Sequence, residues 1–257
     1  MATGLTIGSG RVWVGSDFTG LYDSIVWGAA NLVAPLDDGI GFTSVNEGTF
    51  ATTVDESCGV LAITSDTGDN DNAALVAGKF APRDGKVVMR SRFKYSNVDC
   101  AIFVGFAETM ALDTPVMPAE FATATMTYNP GGMVGFNYDV DGTTDDFRAV
   151  MGDGSAAISD SANGTRANAT LTADGWFEAE VILNEDGSAE CWLGDSGHIS
   201  SDSIHNKLRL IKRFSTGTLL TTTDLFFAVL MLENRSANAR VLEVDYFYAE
   251  GGRDWRF

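Results

Sequence analysis

Basic residues are scarce in this chain: 17 Lys and Arg stand against 35 Asp and Glu, for a formal charge of -18 at pH 7 and a pI near 4.3. Nucleic acid and anionic membranes are held by clustered cations that displace counterions, so this balance excludes both as partners. Cysteine is almost as rare. Cys58, Cys100 and Cys191 form no CxxC pair and cannot all be bridged within one chain, which predicts buried thiols in a reducing compartment and no metal-thiolate site. No apolar run approaches the roughly 20 residues of a membrane helix. The longest clear one, LFFAVLML from Leu225 to Leu232, reads as a strand buried on both faces. The opening MATGLTIGSGRVWVG has neither a basic n-region nor an apolar h-region, so no signal peptide is expected and synthesis is expected to end in the cytoplasm. GxGxxG after a strand, a P-loop, HExxH and GxSxG are all missing.

What is present suffices for a folded body. A chain of 257 residues with 45% apolar content can bury a full core, and all-β sandwiches reach this length as one domain. Period-two alternation recurs along it. KVVMRSRFKY places Met89, Ser91, Phe93 and Tyr95 on one face and Arg90, Arg92 and Lys94 on the other. TATMTY followed by NPGG and MVGFNYDV reads as a hairpin. WFEAEVIL, NEDG and SAECWLG read as a second, with Phe177, Ala179, Val181 and Leu183 opposite Glu178 and Glu180. In RVLEVDYFYAE, Leu242, Val244, Tyr246 and Tyr248 alternate with Glu243, Asp245 and Phe247. SDSIHNKLRLIKRF fits a helix through Ile204, Leu208 and Ile211 or a strand through Leu208 and Leu210. Many strands separated by Gly, Asn and Asp turns predict an all-β, two-sheet antiparallel sandwich over residues 38–257. Residues 1–37, rich in Gly and Ser around Trp13, Phe18, Tyr22 and Trp27, read as an arm that either folds back as a strand or docks on a neighbour.

The chemical motifs are near misses. YDVDGTTDDF sets Asp139, Asp141, Asp145 and Asp146 around Gly142, and Asp-Gly between two strand-like runs is a hairpin turn. An EF-hand loop counted from Asp139 fails, with Gly142 at position four and Val150 at twelve; a sandwich-loop calcium site here or at SDTGDNDN is the alternative. GDSG, Gly194 to Gly197, looks like a serine-protease nucleophile turn, but the only histidines, His198 and His205, lie downstream of it. EVDYFY resembles the start of the E-x-D-x-(x)-E strand of laminarinase-like glycoside hydrolases, with Phe247 and Tyr248 where the second Glu would stand. Two carboxyl groups about 5 Å apart are needed for retaining hydrolysis, and Glu250 lies too far along the strand from Glu243. No catalytic residue, metal site or cofactor is expected. Tyr138, Trp176 and Trp192 are the candidates for stacking a sugar.

The stretch from NDNAALVAGKFAPRDGKVVMRSRFKY to FVGFAE, then GWFEAEVILNEDGSAECWLGD and LEVDYFYAE, resembles the concanavalin A-like lectin/glucanase jelly roll over about residues 40–250. More narrowly it is similar to the version seen in tailed-bacteriophage virion proteins. That resemblance implies a non-enzymatic capsid decoration or cement protein, homotrimeric, bound to the major capsid protein on the virion surface and made in the host cytoplasm. Trp13 and Trp27 on the arm, with Lys207, Arg209, Lys212 and Arg213 of KLRLIKR, are the candidate capsid contacts. A carbohydrate-binding module is the second expectation and a glycan hydrolase or lyase of the same fold the third.

Overall fold

The alternating segments pair as antiparallel strands in the computed structural model, which describes residues 11–16, 34–35, 40–44, 48–52, 59–95, 99–110, 115–122, 124–129, 131–153, 156–157, 164–170, 175–194, 208–215 and 223–252. In chain order the strands are β1 Arg11–Ser16, β2 Ala34–Pro35, β3 Ile40–Ser44, β4 Thr49–Thr52, β5 Leu61–Thr64, β6 Asn72–Phe80, β7 Val87–Tyr95, β8 Cys100–Ala107, β9 Ala119–Ala122 and β10 Thr125–Tyr128. They continue with β11 Gly132–Asp139, β12 Asp146–Asp153, β13 Ala156–Ala157, β14 Thr165–Thr170, β15 Phe177–Leu183, β16 Ala189–Gly194, β17 Arg209–Phe214, β18 Phe226–Asn234 and β19 Val241–Gly252. The first sheet runs β17-β16-β15-β7-β19-β5-β4, with β1 beside β19, and the second runs β13-β12-β11-β8-β18-β6-β3-β2, with β14 beside β12. β9 and β10 make a separate hairpin.

The inner faces of the two sheets enclose the main core. β7 and β15 alternate as their sequences demand, sending Met89, Phe93, Tyr95, Phe177, Val181 and Leu183 inward. Rings gather at one end of it: Phe147 lies 5.3 Å from Phe177 and 5.7 Å from Tyr138, and Tyr138 stacks on Tyr95 at 6.0 Å. β8 and β18 are buried on both faces, because a second apolar layer covers the outside of their sheet. Phe103, Met133, Val150, Val229 and Met231 there meet Met110, Met117, Phe121 and Met126 from the β9–β10 hairpin and its flanks.

Two local readings change and two open ones gain strand pairings. TATMTY does not pair with MVGFNYDV: β10 pairs with β9 through Thr125 and Ala122, because both edges of β11 are occupied by β8 and β12. Between β10 and β11, Gly131 takes a positive φ of 102°. The ambiguous KLRLIKRF segment is strand β17, paired with β16. Alternation along β19 breaks at a bulge between Val244 and Tyr246, so Phe247 and Ala249 face the core while Tyr246 and Tyr248 face out. Within the expected arm, β1 pairs with β19 of the same chain, Trp13 opposite Glu250.

Gly105 and Gly135 sit opposite each other on β8 and β11. A Cβ at Gly105 would lie 2.2 Å from the Val134 carbonyl oxygen, and one at Gly135 2.3 Å from that of Val104, with backbone rather than a flexible side chain to move. Gly135→Ala is therefore expected to destabilise the fold by about 1–3 kcal/mol, read as a lower urea midpoint at unchanged slope; an unaltered midpoint would show that the strands can separate freely.

Candidate functional site

The outer face of the first sheet is a lattice of ion pairs interleaved with rings. Each cation on the outer face of β7 meets an acid from a neighbouring strand: Arg90 the carboxylate of Glu178, Arg92 that of Asp245 at 2.6 Å and Lys94 that of Glu243 at 2.6 Å. Trp176, just before β15, lies against two of them, its ring centroid 4.3 Å from the Arg92 guanidinium and 5.1 Å from the Lys94 ammonium. Glu178 is fully buried and also accepts the Tyr246 hydroxyl at 2.6 Å. Burial pushes the Glu180 carboxyl above its ordinary range, against the pull of Arg90. Because of the β19 bulge, Tyr246 and Tyr248 both reach this face and stack at 6.2 Å.

The β9–β10 hairpin covers the outer side of the second sheet over β8, β11 and β18. One buried cation ties the hairpin down. Arg235, with 4% of its side chain exposed, contacts Asp139 at 2.6 Å, Glu233 at 2.6 Å and Glu120 of β9 at 3.4 Å. The Phe121 amide donates to Asp139 at 2.8 Å and the Asn137 amide to the Ala119 carbonyl at 2.6 Å, so the hairpin is held at both backbone and side-chain level. A cleft of about 230 Å³ beside the hairpin, lined by Ala107, Val116, Pro118 and Met133 among others, is apolar.

Asp139 and Asp146 are not surface acids. Asp139 anchors Arg235; Asp146 accepts the Ala169 amide at 2.9 Å and Arg166 at 3.0 Å; both are buried, and the chain between them forms the β11–β12 turn, closed by the Gly142 amide on the Asp139 carbonyl. In SDTGDNDN, Asp71 accepts the Gly68 amide at 2.7 Å and the Asn234 side-chain amide donates to the Gly68 carbonyl at 3.0 Å. Among the described residues no group of three His, Cys, Asp or Glu side chains is arranged to hold a metal ion. Glu243 and Asp245 lie on a strand central to its sheet, each locked to a β7 cation, rather than free in solvent. Cys100 and Cys191 are buried thiols, Cys100 pushed up to about 12 and Cys191 also raised, in both cases by burial.

Of the proposed sugar-stacking residues, Tyr138 is excluded: it is wholly buried between the sheets, because β11 turns that side chain toward Tyr95. Trp176 and Trp192 lie half-buried on the first sheet's outer face. The basic segment is largely occupied by its own chain. Arg213 pairs with Glu190 at 2.8 Å, Arg209 donates to the Ala167 carbonyl, and the Lys212 ammonium lies 5.8 Å from the Phe214 ring centroid. Charges and a bulge on an edge strand also discourage unwanted pairing. Trp27 and Lys207 lie outside the described residues, and Trp13 is placed only as a backbone position on β1. Tyr248 shares this outer face with Arg90 and Glu180, and the bulge that turns it outward leaves no mark in the alternation of the sequence.

No protein-family model and no curated protein matches the chain. Solved structures do resemble it. A protein of unknown function from Shewanella oneidensis MR-1 superposes with a TM-score of 0.54 at 12% identity, over 96% of this chain and 89% of the other. Peanut lectin gives 0.55 at 11% over 94% and 97%, and the Lotus tetragonolobus seed lectin 0.54 at 11% over 90% and 100%. At these identities the likeness carries the fold alone.

Arg235 and Glu233 give two outcomes to measure. Arg235→Met leaves buried carboxylates uncompensated and is expected to cost about 3–5 kcal/mol by urea unfolding. Burial raises the Glu233 carboxyl from 4.5 to about 7, outweighing the pull of Arg235 and helped by the nearby Glu120 and Asp139. A raised folded-state value favours folding below pH 4.5 and loses that contribution as pH climbs through about 7. Wild type should therefore lose melting temperature relative to Glu233→Gln over that window; parallel curves would show that Glu233 stays ionised throughout.

Proposed function

We propose that this concanavalin A-like sandwich is a non-enzymatic structural protein of a tailed-bacteriophage virion, a decoration or cement protein seated on the outside of the head as a trimer. The observation that carries the non-enzymatic part is the state of its strand acids. Glu243 and Asp245, which stand where a hydrolase of this fold begins its catalytic strand, are each ion-paired within the sheet at 2.6 Å. Phe247 and Tyr248 stand where the second Glu of such a hydrolase strand would be. The virion placement rests on the resemblance of the sequence over about residues 40–250 to jelly rolls of tailed-bacteriophage virion proteins, and the major capsid protein is the partner that resemblance implies. The first sheet's edge supplies a contact of suitable charge, since Arg213 is 63% exposed on an otherwise strongly acidic chain.

Carbohydrate binding is the second reading. It is supported by the rings of Trp176, Trp192 and Tyr248, partly exposed on the face that the ion-pair lattice rigidifies.

Purified protein added to phage heads that lack it is expected to cosediment and to give ordered density at symmetric head positions, with a trimer mass by light scattering at micromolar concentration. Charge reversal of Lys207, Lys212 and Arg213 together should weaken particle binding by about tenfold or more. Heads that stay bare at saturating protein would overturn the assignment.

A further inference from the structure

One row of side chains crosses the strands on the outer face of the first sheet with a ring at each end. The pairing register sets Trp192 opposite Glu180, Glu180 opposite Arg90 and Arg90 opposite Tyr248. Both rings are fixed by charges. The indole N–H of Trp192 donates to Glu190 at 3.1 Å, and Glu190 is held in turn by Arg213 at 2.8 Å. The Tyr248 hydroxyl is hydrogen-bonded by Arg90, which is itself anchored on buried Glu178, and its ring stacks on Tyr246. Rings immobilised before a ligand arrives lose little conformational freedom on binding it.

The chemistry of the row selects its ligand. A pyranose offers an apolar C–H face that packs on an indole or phenol ring, and hydroxyls that need both a donor and an acceptor. Trp192 and Tyr248 supply the rings, the Arg90 guanidinium the donors and the Glu180 carboxylate the acceptor. The two central groups carry opposite charges, and the chain as a whole carries -18, so a polyanionic glycan is repelled and a neutral one is not. Among the described residues, the centre of the other sheet's outer face is covered by the β9–β10 hairpin. We propose that Trp192, Glu180, Arg90 and Tyr248 bind a neutral linear oligosaccharide lying across the strands, its length set by three strand spacings, about 14 Å or about three linked pyranoses. Given the glycan-binding reading, the structure thus adds the place, direction and length of the ligand. Binding there is independent of whether the protein sits on a capsid.

The full chain is tested on an array of neutral gluco-, manno- and galacto-oligosaccharides of one to five units, in α and β linkage, and hits are titrated by tryptophan fluorescence. Affinity should tighten by about tenfold or more from mono- to trisaccharide and then level off. Trp192→Ala and Tyr248→Ala should each weaken binding by about tenfold, Arg213→Ala, which frees Glu190, by a smaller factor, and Leu225→Ser beside β18 not at all. Thermal melts check each variant for folding, and Trp192→Phe, which keeps a ring, should retain part of the affinity. Binding that is indifferent to both Trp192 and Tyr248 would overturn this site while leaving the glycan reading intact. Failure of every glycan at millimolar concentration would overturn both.

Discussion

Strands β8 and β18 are apolar on both faces, so water has to be kept from two sides of a single sheet. The first sheet covers one side. The other is covered by a piece of the second sheet's own connection, the β9–β10 hairpin, whose methionines and Phe121 fill the space above Phe103, Met133 and Met231. From that requirement follow the placement of the buried Arg235 cluster, which pins the hairpin, and the close approach of β8 to β11 at the Gly105–Gly135 pair. Among the described residues, the outer face of the first sheet carries no such apolar cover.

Several of the few cations pair with acids of the same chain. Arg90, Arg92 and Lys94 neutralise acids of adjoining strands, Arg166 meets Asp146, Arg235 gathers Asp139 and Glu233, and Arg240 pairs with Asp99. A chain with so much surplus negative charge gains most from its cations where solvent does not screen them, and the buried Arg235 pairs are the clearest case. The remainder of the acidic surface keeps the molecule soluble and repels polyanions.

The two outer faces also differ in composition. The face of the second sheet is filled with the chain's own apolar side chains, as a structural layer would be. The face of the first sheet combines rigid rings with paired charges, the composition of a surface that recognises a polar, ring-shaped ligand.

Binary alternation was enough to place β7, β15, β16 and β18 and to predict an all-β sandwich, because a half-buried strand must alternate and a strand buried twice must not. The Asp-Gly turn between β11 and β12 was equally legible, since its backbone needs are local. Three matters were decided only in the tertiary structure. Tyr138, open to a surface or a core reading in the sequence, is set in the core against Tyr95 of β7 and Phe147 of β12. β10 took β9 as its partner because both edges of β11 were already bonded. Tyr248 turned outward because a bulge near Asp245 shifted the phase of β19 by one residue. Strand alternation is a property of neighbours along the chain; which edge is vacant, which face is covered and where a register slips are settled by residues far away in sequence.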